Sequence, residues 1–140
     1  MSDARARAAV AIAALLGLGI AAYLTYVHYR GLAPVCLSGG GCETVQSSRY
    51  AEVAGVPVAV LGLIGYLTIL GSLAVPGEPG RLAGVAAALL GFAFSLYLTY
   101  RELFSIHAIC AWCVASAVLM TLLAALTTAR FLRAEPEPAA

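Results

Sequence analysis

Charge is scarce in this chain of 140 residues: 11% of them are charged, against 62% that are hydrophobic. A soluble domain carries roughly a quarter of its residues as charges, so this composition excludes a water-soluble globular fold. The net charge of +1 excludes a basic surface for nucleic acid. Lysine and asparagine are absent and all eight basic residues are arginine. This is a compositional bias from which no function follows. No nucleotide, haem or metal motif occurs, and no linker or charged tail is long enough to form a second domain. The length therefore predicts a single domain over residues 1–140.

What the sequence does contain is four long apolar runs, at residues 8–29, 56–75, 82–104 and 106–131. A helix rising about 1.5 Å per residue crosses the hydrocarbon core in roughly 20 residues, and each run is long enough. The expected fold is an all-α integral membrane protein, a bundle of four transmembrane helices. The first run follows Arg5 and Arg7, as in a signal peptide. It exceeds the usual hydrophobic region of about 7–15 residues and reads as a retained signal anchor. Arg5, Arg7, Arg81, Arg130 and Arg133 flank one side of the runs, and Arg30, Arg49 and Arg101 the other. The excess predicts both termini inside. The loop at 30–55 and the turn between the third and fourth helices then lie outside, where disulfides persist.

The first and third runs are alike. Residues 13–26 read AALLGLGIAAYLTY and residues 87–100 read AALLGFAFSLYLTY, and the same offset carries Cys36 onto Cys110. Two such copies cross the membrane in the same direction, and their shared Gly and Ala faces suit close helix packing in lipid.

Four cysteines form two pairs, both on the outer face. Cys36 and Cys42 bracket Gly39, Gly40 and Gly41 in the first loop. The triglycine gives the backbone freedom, and a disulfide there is opened and reclosed with ease. A static staple is the plainer reading, but it gains nothing from such freedom. Residues 43–51 lack Gly and Pro and are expected to form a short amphipathic helix capping the bundle. Pro57 is expected in the first turn of the second helix, where its missing N–H is harmless.

The second pair, Cys110 and Cys113, reads C-A-W-C at the head of the fourth helix. Three residues apart, the two thiols share one side of a helix and can form a disulfide. The positive end of the helix dipole favours a thiolate there. Ser105 is the expected cap of that helix. His107, one turn before Cys110, could tune the thiolate or simply solvate the interface. Trp112 reads as an interfacial belt residue or as a wall for a flat aromatic ligand. Four cysteines could also close a tetrahedral zinc site, although that would immobilise the triglycine loop.

With these residues laid out, the chain resembles the bacterial branch of the vitamin K epoxide reductase family. The likeness rests on Cys36 and Cys42, Ser47-Ser48-Arg49-Tyr50, Gly55-Val56-Pro57, Gly62, Tyr66, Tyr97-Leu98 and Cys110-x-x-Cys113. The separated pair comes first and the C-x-x-C last; DsbB-type quinone-linked proteins have the reverse order.

The resemblance implies a four-helix bundle around a quinone of the menaquinone, ubiquinone or vitamin K type. It implies a bacterial inner membrane protein that generates disulfides by oxidising a separate thioredoxin-like (DsbA-type) partner. Cys36 and Cys42 would be the shuttle pair, Cys110 would take electrons from the loop, and Cys113 would face the quinone and reduce it. Ser48 would lie near the quinone on the capping helix.

Two departures count against epoxide reduction and anticoagulant sensitivity. Ala117 stands where animal members carry Tyr, and their helix-two Asn has no counterpart. Many bacterial members carry a fused thioredoxin-like domain. This chain ends at Ala140, which predicts a separate partner. Read without the family, the cysteines also admit a thiol-lined transporter for a soft metal ion or a bundle stapled by structural disulfides.

Overall fold

The computed structural model describes residues 3–31, 52–53, 55–106 and 111–133. Four helices account for nearly all of it: α1 (Asp3–Tyr29), α2 (Val58–Ala74), α3 (Gly77–Arg101) and α4 (Ala111–Arg133). A five-residue π-helical segment, Glu102–Ile106, extends α3. The all-α expectation holds. The expected capping helix at 43–51 lies outside the described residues.

Helix boundaries follow local chemistry. Asp3 in the first turn of α1 favours the positive end of the helix dipole. At the other end Gly31 adopts φ 66° and donates its N–H to the His28 carbonyl at 3.3 Å, a left-handed stop that suits glycine. A two-residue strand β1 (Glu52–Val53) then pairs antiparallel with β2 (Val56–Pro57), and Gly55 at φ 83° reverses the chain between them. This small hairpin claims the first two residues of the second apolar run. Pro57 accordingly stands just before α2 rather than inside its first turn. Val75, forced to an extended conformation by Pro76, ends α2. That leaves α2 with 17 residues. Ser105, the expected cap of the fourth helix, instead sits in the π turn and accepts a hydrogen bond from Arg101 Nη1 at 3.2 Å.

The helices form a ring. α1 packs on α2, α2 on α3, α3 on α4, and α4 closes back onto α1. Tyr66, Ile69, Leu123 and Val10 are fully buried at its centre. At one end Arg130 Nε donates to Asp3 Oδ1 at 3.4 Å, and Arg7 Nη2 donates to the Leu73 carbonyl at 2.8 Å. These bonds tie the start of α1 to the ends of α4 and α2.

The outside of the ring is apolar. Mid-helix residues such as Leu16 (58% exposed), Leu90 (73%) and Val118 (55%) point outward. Holding each in water would forgo about 1.5–3 kcal/mol of burial, repeated all round the bundle. Lipid removes that cost. α1, α4 and the segment Gly77–Ser105 are long and apolar enough to span a membrane, and α2 is a shorter apolar helix. The fold is that of a membrane protein.

Glycine sets how closely the helices approach. A methyl group at Gly17 would strike the Tyr66 ring of α2, and one at Gly91 would lie 2.7 Å from Met120 Sδ of α4. Gly17 and Gly91 are equivalent positions of the internal repeat. In each copy the glycine of the odd helix receives a large side chain from the helix that follows. The repeat therefore encodes a packing geometry as well as a composition.

Candidate functional site

α2 and α3 are pressed together near their connecting turn. A methyl at Gly84 would come within 2.8 Å of Ser72 Oγ, and one at Gly80 would meet the Val75 carbonyl. Further from the turn a cavity of about 660 Å³ fills the space between them. This lies within the usual small-molecule range of roughly 300–1,000 Å³. All four helices line it, and its walls are mostly apolar.

The α3 wall is a stripe at helical spacing: Ala83, Ala87, Leu90, Phe94 and Leu98, with Gly91, Ser95, Thr99 and Glu102 beside them. The α2 wall runs from Val58 to Thr68. Leu61 and Ile64 of α2 and Leu90 of α3 line the cavity and are also exposed on the outer surface. The cavity therefore opens sideways between α2 and α3, toward lipid.

Polar groups on its walls are few. Cys113, in the first turn of α4 as described, lines the cavity. Ser116 follows three residues later on the same face. Tyr66 reaches across from α2, its hydroxyl 2.7 Å from Ser116 Oγ and 3.0 Å from the Ser116 carbonyl. Ala117 also lines the cavity, beside the Tyr66–Ser116 hydroxyl pair.

Trp112 is not among the lining residues. Its ring packs on Tyr23 of α1 with centroids 5.1 Å apart and planes inclined at 49°. Successive residues of a helix point about 100° apart, so Trp112 meets α1 while Cys113 looks into the cavity.

Glu102 forms the outer end of the α3 stripe. It lines the cavity and is only 4% exposed. Its backbone N–H is shared between the Leu98 and Thr99 carbonyls, the point where the α-helix widens into the π turn. The neighbouring Arg101 turns the other way, over the rings of Tyr97 (5.2 Å) and Tyr100 (5.8 Å). π turns often mark functional positions. The sequence did carry a signal for Glu102: an acid in register with Ser95, Leu98 and Thr99 near the end of an apolar run.

Cys36, Cys42, Cys110, Ser48 and His107 lie outside the described residues. Of the expected site residues, Cys113 and Trp112 are placed. The far end of the cysteine-bearing loop is nonetheless fixed: Glu52 Oε1 meets His28 Nε2 at 3.2 Å, holding the β hairpin to the end of α1.

Comparison with known proteins gives two findings. The profile of the Vitamin K epoxide reductase family matches residues 8–128. The "Thiol-disulfide oxidoreductase LTO1" of Arabidopsis thaliana is 35% identical over 112 residues, covering 70% of this chain and 29% of its own length. The chain thus spans less than a third of that relative.

Proposed function

Because the chain belongs to the vitamin K epoxide reductase family, we propose that it is a membrane thiol oxidoreductase that moves electrons from a thioredoxin-like dithiol protein, through two cysteine pairs, to a quinone. The observation that carries this reading is Cys113 on the wall of an apolar cavity open to lipid. The similarity to a plant thiol-disulfide oxidoreductase supports the thiol chemistry.

The residues present fit a quinone. The cavity is walled mostly by aliphatic and aromatic side chains, with polar groups at Tyr66, Thr68, Ser95, Thr99, Glu102, Cys113 and Ser116. Such a slot suits a flat ring with oxygens at its edge. The sideways opening suits a hydrocarbon tail that stays among lipids. When bound, a quinone supplies a two-electron acceptor of higher potential than a protein disulfide.

The chain's own part is thiol–disulfide exchange, in which a thiolate attacks one sulfur of a disulfide and releases the other. The partner's thiolate opens the Cys36–Cys42 disulfide, and the freed loop sulfur attacks Cys110. Cys113 is then released as a thiolate at the cavity wall, where the α4 N-terminus stabilises negative charge. Ser48 and Trp112 belong to the ligand's surroundings in this reading, Ser48 from the loop and Trp112 by bracing the turn that holds Cys113. The cysteine pairs act at the outer face of a bacterial cytoplasmic membrane, with both termini inside.

The test is quinone reduction by purified protein in detergent, driven by a reduced thioredoxin-like protein and followed by quinone absorbance. Turnover that stops in each of the four single Cys-to-Ala variants is the expected result. An oxidised, folded protein that reduces no quinone would overturn the reading in favour of a transporter or a stapled bundle.

The opening makes a second prediction. Leu90→Trp places a bulky ring at the gap between α2 and α3 and is expected to raise KM for a long-tailed quinone roughly tenfold, a loss of about 1.4 kcal/mol in binding. A tail-less quinone should be affected much less. Equal effects on both would argue against a lateral entrance.

A further inference from the structure

We propose that Glu102 is the proton donor to the quinone: a carboxyl at the outer end of the cavity that hands its proton to a ring oxygen and recovers one from the closing cysteine pair. This deepens the quinone reading and rests on it.

The chemistry sets the need. When Cys110 and the Cys113 thiolate close a disulfide, one S–S bond forms, two electrons leave and the Cys110 thiol gives up one proton; the second proton is the one shed by the partner's dithiol when it was oxidised. A quinone becomes a quinol by taking up two electrons and two protons. The totals balance without any further reactant. The protons, however, must move from sulfur to oxygen across walls that are almost wholly hydrocarbon. Electrons delivered without protons would leave a buried negative charge, which an apolar site penalises heavily.

Few groups on those walls can carry a proton. Ser95, Thr68, Thr99 and Ser116 hold theirs too tightly at neutral pH, and the Tyr66 hydroxyl is engaged with Ser116. Among the described residues, Glu102 is the one carboxyl lining the cavity. Three features place it for the task. It is 4% exposed, so bulk water does not short-circuit the transfer. It lines the same cavity as Cys113. It ends the regular helix where the π turn begins, so Arg101 can face the outer aromatic rings while Glu102 faces inward.

Glu102 ends the cavity-lining face of a membrane-spanning segment. Buried ionisable groups in such segments mark proton or substrate paths.

The experiment uses purified protein in detergent with a tail-less quinone and a reduced thioredoxin-like partner. Glu102→Gln keeps size and polarity and removes the transferable proton. It is expected to slow quinone reduction about 100-fold or more, the usual contribution of a positioned acid. Exchange between the partner and the protein's cysteines, followed by thiol alkylation without quinone, should stay within twofold of wild type. Glu102→Asp should recover at least a tenth of the lost rate.

A readout independent of turnover is the infrared difference spectrum between the reduced and oxidised protein with quinone bound. Wild type should show a carboxylic-acid C=O band that Glu102→Gln lacks. Should the Gln variant fail to fold, Asp against Asn at this position makes the same comparison of carboxyl with amide. A Gln variant that turns over within twofold of wild type and retains the carboxyl band would overturn the proposal. Wild-type protein that exchanges thiols but reduces no quinone would overturn the underlying reading instead, and this inference with it.

Discussion

Cys113→Ala is expected to lower quinone reduction at least about 1,000-fold, as removal of an essential nucleophile does, while leaving the first half of the relay intact. The reason is position. Cys113 is the cysteine found on the cavity wall, and among the described residues the cavity offers no other thiol. The loop pair keeps its chemistry in this variant, and a reduced partner should still open the loop disulfide. Cys110, now a thiol without Cys113 to pair with, should instead attack the oxidised Cys36–Cys42 disulfide and release one loop thiol. With Cys113 missing, no neighbouring thiol breaks that link, so a loop-to-Cys110 disulfide should accumulate. Non-reducing electrophoresis after alkylation detects it as one internal crosslink that forms without quinone consumption. Quinone turnover within tenfold of wild type would sink the assignment of Cys113 as the terminal sulfur.

Gly17→Val should be the most damaging single change far from any cysteine. The new side chain would occupy the place of the Tyr66 ring. That ring is fully buried and its hydroxyl is held by Ser116, so it has nowhere to retreat. Overpacking of this kind costs about 1–3 kcal/mol. The loss appears as a lower midpoint of thermal unfolding in detergent, and as reduced turnover because Tyr66 lines the cavity. Pairing the change with Tyr66→Ala isolates the contact. The double variant should lose less than the sum of the two single losses, with a coupling of about 0.5–3 kcal/mol for touching residues. Strict additivity would show that the two side chains do not compete for the same space.

The four helices were legible because lipid imposes a simple rule: about 20 apolar residues per crossing. Where the sequence misled, local backbone chemistry outweighed that rule. The hairpin closed by Gly55 took the start of the second run, and Pro76 cut its end. The third helix began earlier, at Gly77, because a helix start tolerates Pro79 and the following polar residues. The cavity itself was not legible. It exists because α2 and α3 touch at Gly80 and Gly84 yet part farther on, and no pattern within one helix encodes a gap between two.

Residue roles divide the same way. The cysteines announce themselves by type and spacing, and their order identified the family. Trp112 could be read either as belt or as ligand wall, and only its contact with Tyr23 distinguishes the two faces. Tyr66 was visible as a family position, but Ser116, fifty residues later, becomes its partner only through the fold. Glu102 adjoins Arg101 at the same helix end, and only the fold turns one toward the cavity and the other toward the Tyr97 ring.

The shortness of α2 has a consequence for the bilayer itself. Its 17 residues span about 25 Å at 1.5 Å per residue, against a hydrocarbon thickness of about 30 Å. The neighbouring helices are each longer by several residues. Lipid beside a short helix compresses to match it, at a fraction of a kcal/mol per Å. Compression of that kind would draw the leaflets together along α2, on the flank where the cavity opens. A hydrophobic ligand approaching from that flank crosses a shallower layer of acyl chains than it would anywhere else around the ring, and membranes of different thickness will set different distances for the same short passage.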